Sequence, residues 1–157
     1  MISNSSPIIF LAKINSLNTL KNLFNKIIIP TEVKEEVLIE GKIDSRIIFQ
    51  AIEDGWIKID SPKNNLDLKL GKGENAAINL AKEKNDYLII DDAKGIKAAN
   101  AFNIKTLRTT TVILMALKKK LLNKKEAVDL INKLIDAGYY ISPQYYSILI
   151  TKLTYKD

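Results

Sequence analysis

The chain has 157 residues, a formal charge of +6 from 24 basic and 18 acidic side chains, and neither cysteine nor histidine. The missing residue types exclude disulfides, thiolate nucleophiles, histidine bases, Ser-His-Asp triads and ordinary zinc sites. Any catalysis must rest on carboxylates, hydroxyls, lysines or a metal ion held by oxygen donors.

The length predicts one domain over 1–157, with enough chain to bury a core without cross-links. Met1-Ile2 is a short apolar strand running into Asn4-Ser5-Ser6-Pro7, a turn with good N-cap residues and a proline suited to a first helical turn. Helical patterning continues to about Phe24. Residues 27–29 are three isoleucines ended by Pro30, as suits a strand buried on both faces of a parallel sheet. Helices are predicted over 31–39 and 43–53, a strand over 56–59, and a polar loop over 60–73 closing on Gly71-Lys72-Gly73. An alanine-rich helix over 74–84 leads to a strand at 87–90, which stops at Asp91-Asp92. Helix 93–102, strand 104–107 and helices over about 109–120, 124–137 and 143–153 complete the order. Short apolar strands alternating with helices predict a three-layer α/β sandwich with a central parallel sheet.

In such folds ligands bind at the carboxyl ends of the strands. Asn4, Ser5 and Ser6 reach that edge from the first strand, Asp91 and Asp92 from the strand at 87–90. Glu36 lies three residues from Val33 and beside Val37, on the helix face expected to look inward, although a small rotation would put Glu35 there instead. Glu74 opens its helix and shares a face with Ile78 and Ala81. Its position also suits a first-turn acid facing the helix dipole, and either Asp91 or Asp92 suits an N-cap. Converging carboxylates repel one another unless a cation lies between them, and a set of hard oxygen donors favours Mg²⁺ or Mn²⁺. The glycine-rich segment 71–75 lacks both the P-loop ending and the dinucleotide spacing.

The segments Ser3-Asn4-Ser5-Ser6-Pro7-Ile8-Ile9, Ile29-Pro30-Thr31-Glu32-Val33-Lys34-Glu35-Glu36, Gly71-Lys72-Gly73-Glu74 and Ile89-Ile90-Asp91-Asp92 together resemble a PIN-domain subgroup related to VapC-type toxins. So do Thr109 and Ala137-Gly138-Tyr139-Tyr140-Ile141-Ser142 later in the chain. The resemblance covers nearly the whole sequence in order. It implies a metal-dependent endoribonuclease in which Glu36, Glu74 and Asp92 are metal-binding acids, with Asp91, Ser6 and Thr109 in support. Where the family's first strand usually ends in Asp, this chain has Asn4, whose amide oxygen can meet a metal but cannot accept a proton as a base. The alternative is a non-catalytic PIN-like module that binds RNA or a protein through a degenerate acidic site.

The partners the resemblance implies are RNA, an antitoxin protein and a second copy of the chain. The homodimer would use apolar faces of the C-terminal helices, including Tyr139, Tyr140, Tyr145 and Tyr146. Net charge +6, carried almost entirely by lysine, agrees with a polyanionic partner. The apolar run at 8–12 is too short for a leader or a span, so the expectation is a cytoplasmic protein with no membrane association.

Overall fold

The computed structural model describes residues 1–155. Five short strands form one wholly parallel sheet in the order β3-β2-β1-β4-β5. They are β1 (Ile2–Ser3), β2 (Ile27–Ile29), β3 (Ile57–Ile59), β4 (Leu88–Ile89) and β5 (Thr106–Leu107). Ile2, Ile27, Ile29, Leu88 and Ile89 are fully buried, the expected state of β-branched and leucine residues in strands covered on both faces. Burying each such side chain contributes roughly 1.5–3 kcal/mol.

Between β1 and β2 come α1 (Ser5–Lys13) and α2 (Asn18–Phe24), and between β2 and β3 come α3 (Thr31–Val37) and α4 (Ile43–Glu53). The crossover from β3 to β4 carries α5 (Lys72–Lys84), and that from β4 to β5 carries α6 (Ala93–Ala101). Right-handed crossovers that run outward in opposite directions from β1 place α1 and α4 on one face and α5 and α6 on the other. The packing agrees, with α1 against α4 and α5 against α6. The sequence closes with α7 (Thr109–Lys118), α8 (Lys124–Asp136) and α9 (Pro143–Tyr155). Asn123 and Glu126 form a reciprocal capping box that starts α8. Among the described residues, no helix is long and apolar enough to cross a membrane.

One feature differs from the sequence expectation. The helical pattern read through to Phe24 is two helices, broken at Asn15, which has a positive φ of 55°. Asparagine tolerates that conformation better than other non-glycine residues. The break lets Leu17, Leu20 and Leu23 turn back into the core, which a straight continuation of α1 would not have done.

Loop 60–71 is polar, as expected, and is tied down by α5. The buried Asn75 accepts from Leu68 N–H at 2.7 Å and donates to the Leu66 carbonyl at 2.8 Å. Asn79, one turn later, donates to the same carbonyl at 2.9 Å and accepts from Leu66 N–H at 3.2 Å. These bonds fix the loop against the helix that carries Glu74.

Candidate metal centre

The chain order reverses at β1, whose neighbours are β2 and β4. Such a switch point opens a crevice beyond the carboxyl ends of the strands. Asn4 enters it from β1 and the Asp91-Asp92 pair from β4. Register joins them directly, because the Asn4 backbone N–H donates to the Ile89 carbonyl at 2.9 Å.

Asn4 is only 4% exposed. It occupies the N-cap position of α1 without capping it through its side chain, and its buried Oδ1 accepts no hydrogen bond. An acceptor left in that state costs about 1–3 kcal/mol, and a cation or a donor from a ligand would satisfy it. Glu32 Oε2 on α3, one turn before Glu36, is a second buried oxygen without a donor, and nothing in the sequence pattern had marked it.

Helix rotation selects Glu36 over Glu35. Val33 and Val37 are buried, and Glu36 flanks that stripe at its exposed margin rather than lying on it. Its carboxylate is nonetheless held at both oxygens. Ser5 Oγ donates to Oε2, and Gly73 N–H donates to Oε1 at 3.0 Å. The hydroxyl that supports Glu36 is therefore that of Ser5, while the Ser6 side chain makes no hydrogen bond among the described residues. Ser5 is the first residue of α1 and faces α3. Sequence alone could not rank two adjacent serines.

Gly73 is the second residue the sequence reading passed over as site-forming. A Cβ at this position would stand 2.5 Å from Glu36 Oε1, so the absence of a side chain is what admits the carboxylate. Glu74 follows on the first turn of α5, half-buried, and makes no hydrogen bond among the described residues. Burial first, then the charges of Asp92 and Glu36, hold its carboxyl above the ordinary range. Three acids from three separate chain segments thus act on one another at this edge.

Asp91 and Asp92 divide their work. Asp92 is the N-cap of α6, with Oδ2 accepting from Gly95 N–H at 2.8 Å, and it stays exposed. Asp91 is engaged at both oxygens. Its Oδ1 accepts from Thr109 N–H at 2.9 Å and Tyr139 Oη at 2.6 Å, and its Oδ2 from Thr109 Oγ1 at 2.7 Å. Thr109, read from sequence as a supporting hydroxyl, serves Asp91 and so joins the end of β4 to the start of α7. Tyr139 is buried in the core, packed edge-on against Phe10 at 5.3 Å. It is therefore withdrawn from any dimer surface, whereas Tyr140 is 84% exposed.

Among the described residues, no three acidic side chains stand together at metal-ligand spacing. The donor chemistry still fits a magnesium-like ion, which keeps several of its waters and needs only one or two direct carboxylates. Glu74 has both oxygens available, Asp92 has Oδ1, and Asn4 offers its unpartnered Oδ1. The ion pairs of the described residues lie elsewhere, at Met1–Asp86, Lys69–Asp67 and Lys84–Asp60.

A family model described as a PIN domain matches residues 1–154. Among solved structures, the chain is similar to a PilT N-terminus domain protein from the hyperthermophilic archaeon Sulfolobus solfataricus P2. The two align with a TM-score of 0.54 and 26% identity, over 74% of this chain and 94% of that one. A search of curated proteins finds no match.

Proposed function

Because the chain belongs to the PIN-domain family, we propose that it is a divalent-metal-dependent endoribonuclease whose ion is held by Glu36, Glu74, Asp92 and the Asn4 carbonyl. One observation carries this reading. The buried, unpartnered Asn4 Oδ1 lies at the carboxyl end of the central strand, where Glu74 feels the charges of both Glu36 and Asp92 and none of the three is in an ion pair among the described residues. A divalent cation there would satisfy the Asn4 oxygen and offset the charge of the carboxylates.

When bound, Mg²⁺ or Mn²⁺ would acidify a water and neutralise charge on the phosphate. The chain's own groups set the stage for that chemistry. Ser5 and Gly73 hold the Glu36 carboxylate in one orientation, and Gly95 does the same for Asp92. Glu74 supplies at this edge the negative charge that a neutral amide at Asn4 cannot. Asp91 stands behind the site and, through Thr109 and Tyr139, fixes the strand end on which Asp92 sits.

RNA is the substrate in this reading. The resemblance to VapC-type toxins extends it to a toxin countered by an antitoxin and to a homodimer, for which exposed Tyr140 supplies apolar surface. The direct test is cleavage of generic RNA with Mn²⁺ by the wild type beside Asp92→Asn. Equal cleavage by both would assign the activity to a contaminant. The neutral Asn4 favours a second reading, a module that binds RNA without cutting it. A Mn²⁺ titration of wild type and Asn4→Asp separates the two. Tight binding and cleavage gained only in the aspartate variant would mark the natural protein as a binder.

A further inference from the structure

Arginine occurs only at Arg46 and Arg108, while the other basic residues are lysines. Arg108 follows β5 directly and is the N-cap residue of α7, with extended backbone at φ −87° and ψ 161°. The register Ile89↔Leu107 sets Arg108 level with Ile90 and Thr109 level with Asp91. It therefore stands at the same sheet edge as the carboxylates, one residue from the Thr109 N–H that binds Asp91 at 2.9 Å.

The Arg108 side chain is exposed and forms no ion pair or hydrogen bond among the described residues. This is unexpected beside so many acids. The physical reason lies at Asp91, the nearest along the sheet edge. Both its oxygens already accept from neutral donors on Thr109 and Tyr139, which lessens their need of a guanidinium. The Arg108 charge is still felt at the Tyr139 hydroxyl, where it opposes the rise that burial and Asp91 impose. The planar fork, carried from the same sheet edge as the carboxylates, is thus left with its donors unspent.

We propose that Arg108 grips the phosphodiester backbone of a single-stranded RNA beside the carboxylate cluster. This inference rests on the ribonuclease reading. An acidic crevice repels RNA, so a cation at its rim must hold the strand where the metal-binding groups can reach it. Guanidinium meets two phosphate oxygens at once, which an ammonium does not. The lysine run Lys118–Lys120 is poorly placed for this task. It lies at the far end of α7, roughly 15 Å along the axis from Arg108 at 1.5 Å per residue. Lys72 and Lys94, exposed at the starts of α5 and α6, supply general attraction without the fork.

The test uses the full chain in the Asp92→Asn background, where asparagine keeps the N-cap and the RNA stays intact. Binding of a fluorescent single-stranded RNA is measured by anisotropy at several salt concentrations. Adding Arg108→Ala should weaken binding roughly tenfold and lower the salt slope by about 0.7, the value of one single-strand phosphate contact. Arg108→Lys should keep the slope and recover only part of the affinity. Arg46→Ala, which alters a cavity beside Trp56 and Gln50, should change little. An unchanged affinity and slope in Arg108→Ala, or an equal loss in Arg46→Ala, would overturn the assignment while leaving the ribonuclease reading intact. A wild type that neither cleaves nor binds RNA would overturn both.

Discussion

Gly73 and Glu36 approach more closely than any side chain at position 73 would permit. A Cβ there would lie 2.5 Å from Oε1, 2.6 Å from Oε2 and 2.7 Å from Cδ of Glu36. The first distance is roughly 0.9 Å short of the 3.4 Å at which ordinary contact begins. The obstructing atoms are the end of a flexible, largely exposed side chain, so in Gly73→Ala the carboxylate swings away and the helix stays. The variant loses the bonds from Ser5 Oγ and Gly73 N–H to Glu36. Bonds to a charged group contribute about 1.5–3 kcal/mol each when buried, but this carboxylate regains water, and a net loss of about 1–2 kcal/mol is a fairer figure. Alanine in place of glycine within a helix returns up to about 1 kcal/mol. Stability should therefore fall by no more than about 2 kcal/mol, read as a modest drop in urea midpoint with an unchanged m-value. Metal binding should suffer far more, because ligand positions matter to about 0.2 Å. We expect Mn²⁺ affinity to weaken at least tenfold by calorimetric titration. Unchanged Mn²⁺ affinity would refute the placement of Glu36 in the metal site, and a loss above about 3 kcal/mol would show that Glu36 cannot yield as argued.

Gly95→Ala meets an equally short contact, 2.5 Å from Ile90 Cδ1, but with a fully buried side chain. It should cost about 1–3 kcal/mol in urea unfolding through overpacking, and a neutral result would show that Ile90 has room to move. Tyr139→Phe removes one of three donors to Asp91 and should lower stability by about 1–2 kcal/mol at pH 7. Burial first, and then the Asp91 charge, raise the Tyr139 hydroxyl above its ordinary 10.0. Its contribution is therefore complete below about pH 10 and is lost as pH rises further. The gap between wild type and Tyr139→Phe should narrow above that pH, and a constant gap up to pH 11 would contradict the network. Glu74 is likewise raised, so its carboxyl favours the folded state while protonated, and that advantage declines as pH climbs past the ordinary glutamate range. Glu74→Gln should unfold at a slightly higher urea concentration at pH 7, by a few tenths of a kcal/mol at about the level solvent screening allows. The same variant should bind Mn²⁺ more weakly, and a lower urea midpoint would mean that Glu74 has a stabilising partner.

Much of this architecture was legible in the linear sequence because its signals are local. The isoleucine run ended by Pro30 and the apolar stop at Asp91-Asp92 each depend on neighbours within one turn or one strand. The α/β alternation, and with it the sheet edge on which ligands gather, follows from those signals by general rules of topology. Glu74 and Asp92 could be nominated the same way, as residues at a helix start and a strand end, and Glu36 as an acid beside the Val33 and Val37 face. What they do there depended on contacts across the fold. The bond from Ser5 to Glu36 turns on which residue of α1 faces α3, 31 residues away. The separation of Asp91 from Asp92 turns on Tyr139, 48 residues on. Gly73 reads in sequence as an ordinary helix-start glycine, and only the approach of Glu36 shows why a side chain there is excluded. Helical periodicity assigns faces to within a residue or so, whereas a hydrogen bond requires its partner within a few tenths of an ångström. The chain therefore encodes which residues reach the crevice, and tertiary packing decides which of their atoms remain free to act there.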